Sequence, residues 1–360
     1  MSSDSTRVFG LDVMRALAIV MVVFWHSYDL IRELAPGFEM PFFLDGVDLF
    51  FVLSGYLIGG LLLKLQQRDD LGWWQRLLGF WRRRFFRTLP NYYLFLCINI
   101  ALLWAGVTEG LLNQNVLAYF AFLQNLWKPF SLFFWESWSL VIEVWFYLLF
   151  PVMLFAFTGV LRMRTSWAFA LTIAIFLLGP LLVRFQFLPE ADPMPVLDSP
   201  VRALVITRVD TIVYGLLAAL LQLHWARWWR ELRWPLFVIG MAGILVVPVL
   251  YGQEHRTYSI TWYYSLNAFA MALLLPLMST WVKEPRGGSF VTLLSRLSYA
   301  IFFVHLPVRA LLLSYYEPSD PFIGGLQLLF YCVLCIALAW PIYRYYEKPM
   351  MEIRERFKRR

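Results

Sequence analysis

Roughly ten runs of about twenty mostly apolar residues follow one another along this 360-residue chain, and that succession limits the fold more than any other feature. A helix needs about 20 apolar residues to cross roughly 30 Å of hydrocarbon. Inside lipid its backbone hydrogen bonds must close within the segment, which is what a helix does. The expected spans are about 10–31, 45–65, 90–107, 137–158, 165–187, 207–225, 233–250, 260–281, 292–315 and 324–346. They predict an all-α polytopic membrane protein, with residues 1–360 forming a single transmembrane domain. A basic inner-face segment is expected at 66–90 and a short tail at 347–360. The first run is not a secretory leader, because it is too long, carries Arg15 and His26, and lacks a small-residue cleavage site.

Composition agrees, with 60% hydrophobic and only 15% charged residues, against about a quarter charged in soluble domains. A net charge of +7 would suggest nucleic acid in a soluble protein, but here the charge alternates with the loops. Lys64, Arg68, Arg76, Arg82, Arg83, Arg84 and Arg87 fill one loop; Arg162 and Arg164, Arg227, Arg230 and Arg233, and Lys283 and Arg286 fill later ones on the same side. Acidic residues such as Glu39, Asp45, Glu136, Asp198 and Glu254 occupy the opposite loops. This distribution puts both termini in the cytoplasm, makes membrane lipids the surroundings and leaves nucleic acid out as a partner.

Cys97, Cys332 and Cys335 all fall within expected spans and read as small buried hydrophobes, with no histidine near enough for a metal site. No metal is expected. Two stretches break the simple pattern. "WWQRLLGFWRRRFFRTLPNYY" should lie along the inner interface until Pro90 starts the third span. Leu111 to Trp135, interrupted by Asn113, Asn115, Gln124, Asn125 and Lys128, reads as a partly buried or re-entrant outer segment.

Ionisable groups inside spans cost about 2.5–3.5 kcal/mol on insertion scales, so each one retained there is a candidate functional group. Arg15 and His26 are eleven positions apart in the first span and return to nearly one helical face. Arg15 alone could equally snorkel or pair with Asp12, and His26 alone could be structural. Glu143 lies in "ESWSLVIEVWFYLLFP", with Ser139 one turn earlier and able to bond its carboxylate. It could orient a histidine or hold an arginine of another span. Asp48, Ser54 and Tyr56 are the polar residues of "DGVDLFFVLSGYLIGGLLL", whose glycines suit close helix packing. Arg84 and Arg87 stand one turn apart beside Arg82 and Arg83, as topology alone would place them or as a phosphate clamp would. His305, beside Pro307, is either structural or cavity-lining, and His224 and His255 sit at span ends or in loops.

Five stretches together resemble the acyltransferase-three family of integral membrane O-acyltransferases: "GLDVMRALAIVMVVFWH", "GVDLFFVLSGYLI", "RRRFFRTLPNYY", "SWSLVIEVWFYLLFP", and "LSYAIFFVHLPV" followed by "YEKPM". The resemblance covers nearly the whole chain. It implies an enzyme that moves an acyl group, commonly acetyl, from cytoplasmic acetyl-CoA or another acyl-CoA to a hydroxyl of a glycan or glycolipid acceptor. A lipopolysaccharide O-antigen in a bacterial inner membrane is one such acceptor. It further implies His26 as the catalytic histidine with Arg15 its companion and Glu143 in the catalytic neighbourhood. Arg82, Arg83, Arg84 and Arg87, with Ser54 and Tyr56, fall on the donor side. Asp48, Asp29, Ser139, Trp138, Asn125 and His305 form the surroundings. Relatives with an added C-terminal hydrolase-like domain exist, and the chain ends soon after its tenth expected span.

Histidine suits this chemistry because its ordinary pKa of about 6.5 lets it take a proton from an alcohol and return one to a thiolate near neutral pH. Glu143, or Asp29 one turn beyond His26, would fix the imidazole tautomer. Buried Arg, His and Glu in a bundle equally suit a proton-coupled transporter. Carriers usually show two related halves with broken spans, and no such repeat is evident.

Overall fold

The computed structural model describes residues 7–27, 45–68, 70–108, 116–127, 132–188, 200–252, 254–315 and 321–356. All regular structure among them is helical. In chain order the principal helices are α1 (Phe9–His26), α2 (Gly46–Gln66), α3 (Trp73–Trp104), α4 (Ser137–Phe155), α5 (Thr165–Gln186), α6 (Asp210–His224), α7 (Ala226–Glu231) and α8 (Arg233–Val246). They continue with α9 (Arg256–Thr261), α10 (Tyr263–Ala272), α11 (Leu275–Thr280), α12 (Ser289–Tyr315), α13 (Pro321–Pro341) and α14 (Lys348–Arg356), the last two joined through a π turn at Ile342–Glu347.

Among the described residues, eight helical stretches are long and apolar enough to cross a membrane. The two remaining expected spans fall on segments that do not read as simple spans. Rather than starting a helix at Pro90, the chain runs through it, so the basic stretch and the third span form one 32-residue helix, α3. Pro90 removes one backbone donor, a loss that spanning helices tolerate where neighbours re-satisfy the freed carbonyls. The stretch expected at 260–281 is divided among α9, α10 and α11.

At the centre, α2 and α6 run parallel and touch backbone to backbone. A Cβ on Gly55 would lie 1.8 Å from the Ile212 carbonyl oxygen, and one on Gly215 would lie 1.8 Å from that of Val52. Small residues at such crossings let spanning helices gain dispersion contacts that lipid cannot supply. The α2 start is capped by Asp45, whose carboxylate accepts from the N–H groups of Val47 and Asp48 at 3.1 and 3.4 Å. α1 packs on α2 and runs parallel to α12, with Asp12 bonded to Ser295 near their starts and His26 against His305 further along. Leu182 on α5, Val246 on α8 and Leu329 on α13 are each more than 60% exposed, which suits a lipid-facing perimeter.

Two fully buried ion pairs tie this centre together: Arg208 to Asp48, and Arg184 to Asp210. Asn267 donates to Asp48 at 3.0 Å, and Ser265 links Arg184 at 2.9 Å to Asp210 at 2.8 Å. The Arg208 guanidinium also lies 3.9 Å from the Tyr264 ring centre.

The described part of the polar segment 111–135 is folded into the protein, with Tyr119, Phe122, Gln124 and Asn125 buried. Cys335 is buried, but Cys97 is exposed on the outer side of α3, so it is not a core residue.

Candidate active site

A cavity of about 90 Å³ opens among α1, α2, α3, α4 and α12, and three arginines line it: Arg15, Arg84 and Arg87. Arg84 and Arg87 reach it because they are one turn apart on α3. Arg82 and Arg83, next to them in sequence, point elsewhere and do not line it. Arg15 pairs with Asp12 at 3.5 Å and donates to Ser295 Oγ at 3.3 Å, so the local pairing that sequence left open is present. Asp12 in turn holds Arg7.

The opposite wall carries a short hydrogen-bonded chain. The Tyr147 hydroxyl donates to Glu143 Oε2 at 2.9 Å and lies 3.0 Å from Ser54 Oγ. The Arg84 guanidinium sits 5.7 Å from the Tyr147 ring centre. Sequence reading missed Tyr147. It stands four residues after Glu143, so it shares that face of α4, and this spacing was the available signal. Ser139 also lines the cavity, but its hydroxyl donates to the Glu136 carbonyl at 3.3 Å and not to Glu143.

His26 stands apart from this carboxylate. Its Nδ1 lies 2.9 Å from the Val22 carbonyl oxygen and 3.0 Å from Nε2 of fully buried His305. A carbonyl oxygen at that distance requires a donor, so the proton is assigned to Nδ1 and the lone pair to Nε2. The groups that fix the His26 ring are therefore Val22 and His305, while Glu143 is committed to Tyr147. Asp29 lies outside the described residues.

Between the two centres stand two phenyl rings. Phe50 and Phe302 both line the cavity and meet edge to face at 6.3 Å. Phe302 then contacts His305 at 5.8 Å. His26 does not line the cavity; Phe302, which does, packs on His305, the partner of His26.

The remaining candidates have structural partners. Tyr56 donates to Gln222 at 2.6 Å and stacks parallel to Trp229, on the far side of α2 from the cavity. Asp48 is consumed by Arg208 and Asn267. Trp138 is buried edge to face against Phe51, and Asn125 donates to the carbonyls of Trp138 and Ala203 at 3.0 and 2.6 Å. Among the described residues no cluster of histidine, cysteine or carboxylate side chains could hold a metal.

The family model described as an acyltransferase domain matches residues 8–344, and the chain belongs to that family. The chain is 26% identical to the O-acetyltransferase OatA of Staphylococcus aureus (strain NCTC 8325 / PS 47) over 366 residues, which cover 95% of this chain and 57% of that protein. It is 27% identical over 367 residues to SACOL0978 of Staphylococcus aureus (strain COL), a protein whose name assigns it provisionally to the O-acetyltransferases; the match covers 94% of this chain and 56% of that one. The chain thus spans little more than half the length of these relatives. No solved structure matches it.

Proposed function

We propose that this chain is a membrane O-acyltransferase that moves an acyl group, acetyl in the first instance, from an acyl-CoA at its arginine-rich face to a hydroxyl of a carbohydrate or glycoconjugate. We take that face to be cytoplasmic, as the alternation of basic loops suggests. The observation that carries the reading is the His26 ring, whose Nδ1 is engaged by Val22 and His305 so that Nε2 is left as a base.

Arg84 and Arg87 hold donor phosphates through charge-assisted hydrogen bonds at the mouth of the cavity. Arg15 adds a third positive charge deeper in, and the Glu143–Tyr147–Ser54 chain fixes the wall along which the donor's arm lies. Phe50 and Phe302 move aside to let the thioester reach His26. There Nε2 takes the proton of the acceptor hydroxyl as its oxygen bonds to the thioester carbonyl carbon. The tetrahedral adduct collapses, the C–S bond breaks, and the imidazolium returns the proton to the departing thiolate.

The test is transfer from radiolabelled acetyl-CoA by the purified full chain in lipid, supplied with a membrane glycan fraction. Wild type should label the glycan. His26→Ala should abolish labelling with donor binding retained, whereas Arg84→Ala with Arg87→Ala should weaken donor binding about 10- to 100-fold, as expected for lost hydrogen bonds to charged groups. Acyl label trapped on His26 from donor alone would replace direct transfer with a covalent route.

A further inference from the structure

The histidine pair has a second flank, on the side away from the arginine-lined cavity. About 16 Å of helix separates Arg15 from His26 on α1, so His26 stands toward the other end of the bundle. His305 is fully buried, whereas His26 keeps partial exposure without lining that cavity. The exposure does not face lipid. Leu17, 51% exposed on the perimeter, lies nine positions before His26 and therefore half a turn round the helix from it. The imidazole is open to the interior of the bundle on its far side.

Two arginines from different elements stand on that flank. Arg202 closes the short turn Pro200–Arg202. Its guanidinium lies 5.8 Å from the ring centre of Trp25, the chain neighbour of His26, and its carbonyl accepts from Arg208 Nη1 at 3.0 Å. Arg309 follows His305 by one turn of α12 and continues its face beyond the pair. Both arginines act on the His26 ring through their charge, and both are partly exposed. The carboxylates described nearby already have work: Asp48 holds Arg208 and accepts from Asn267, and Asp45 caps the start of α2.

We propose that Arg202 and Arg309 grip an oxyanion of the acceptor, which is then an acidic sugar whose carboxylate or phosphate sits within one ring of the hydroxyl that is acylated. This rests on the transfer reaction proposed above and names the class of its acceptor. Guanidinium forks bind carboxylate and phosphate in bidentate fashion, and the face of Trp25 orients one of the two forks. The donor's own phosphates do not serve here, since Arg84 and Arg87 hold them at the opposite end of its arm while the thioester is at His26. An anion between the two guanidinium groups also offsets their field at His26, which favours the imidazolium formed when Nε2 takes the proton.

The test is calorimetric titration of the full chain in phosphatidylcholine nanodiscs, without acetyl-CoA, using trisaccharides of glucose, of glucuronic acid and of glucose 6-phosphate. Wild type should bind one of the acidic trisaccharides about 100-fold more tightly than the neutral one, and the tighter of the two identifies carboxylate or phosphate as the group held. Arg202→Gln and Arg309→Gln should each weaken the acidic ligand about 10-fold, the low end for hydrogen bonds to a charged group. Arg202→Lys, which keeps the charge, should recover part of that loss, and Arg230→Gln, an exposed arginine of α7, should change nothing. Equal binding of acidic and neutral trisaccharides by wild type, or a preference that survives Arg202→Gln with Arg309→Gln, would overturn the proposal. Acetyl transfer is measured separately: an acid preference without transfer from acetyl-CoA to any glycan would leave the anion site and remove the enzyme reading, and transfer to a neutral glycan with no acid preference would do the reverse.

Discussion

His305 places its Nε2 3.0 Å from Nδ1 of His26, across 279 positions of sequence. The contact joins the last turn of α1 to the middle of α12 and fixes the orientation of a ring whose other nitrogen is the proposed base. His305→Ala should therefore lower kcat by about 10²-fold, within the range for a perturbed general base, with little change in donor KM. His305→Gln, whose amide can still reach Nδ1, should recover part of the loss. Steady-state kinetics on the purified chain gives both numbers, and a pure KM effect would count against this role.

Phe302 stands between the arginine-lined cavity and the histidine pair. Phe302→Ala should let water reach the thioester and raise donor hydrolysis relative to transfer by several-fold. The check is free coenzyme A released with acceptor omitted; an unchanged ratio would mean that the ring is not on the donor's path.

The α2–α6 crossing predicts a sharp contrast between neighbouring glycines. Gly55→Ala would drive a Cβ to 1.8 Å from the Ile212 carbonyl oxygen, whereas a Cβ on Gly60 meets nothing within 4 Å. The first substitution should destabilise by about 1–3 kcal/mol or more, as overpacking does. The second should be neutral or stabilising by up to about 1 kcal/mol through the unfolded chain. Thermal unfolding in detergent separates them.

Breaking the buried Arg208–Asp48 pair from one side leaves a charge without compensation. Arg208→Met alone should cost about 3–5 kcal/mol, and adding Asp48→Leu should restore much of it. If the double variant were no better than the single, the pair would hold more than its own charges.

Glu136, just before α4, is buried, and its Oε1 makes no hydrogen bond. Burial pushes its carboxyl from the usual 4.5 up to about 8. The folded protein therefore keeps this proton over a range in which the unfolded chain has released it. Its contribution is fully present below about pH 4.5 and is lost as pH rises toward 8. Tm should fall from pH 5 to pH 8, and Glu136→Gln, which cannot ionise, should flatten that fall.

Long apolar runs made most of the spans legible in the sequence, because lipid imposes a length that composition reveals. Pro90 misled, since a proline reads as a helix start when the neighbours that re-satisfy its carbonyls are unseen. The short helices at 256–280 were hidden because hydropathy averages over the breaks between them. At the candidate site, Arg84 and Arg87 came together in the cavity as their one-turn spacing implied. The pairing of His26 with His305 and of Asp48 with Arg208 left no local trace, because each joins segments more than 150 residues apart. Glu143 and His26 looked like natural partners by charge alone, yet the bundle gives the carboxylate to Tyr147.

The Phe50–Phe302 contact has a consequence for the cell as well as for the reaction. An enzyme that draws its donor from one aqueous phase and its acceptor from the other needs both to approach one spot, and a standing water column through that spot would carry protons down the gradient. On the reaction path proposed above, two aromatic edges that meet as Phe50 and Phe302 do would act as an airlock, keeping the membrane charged between turnovers.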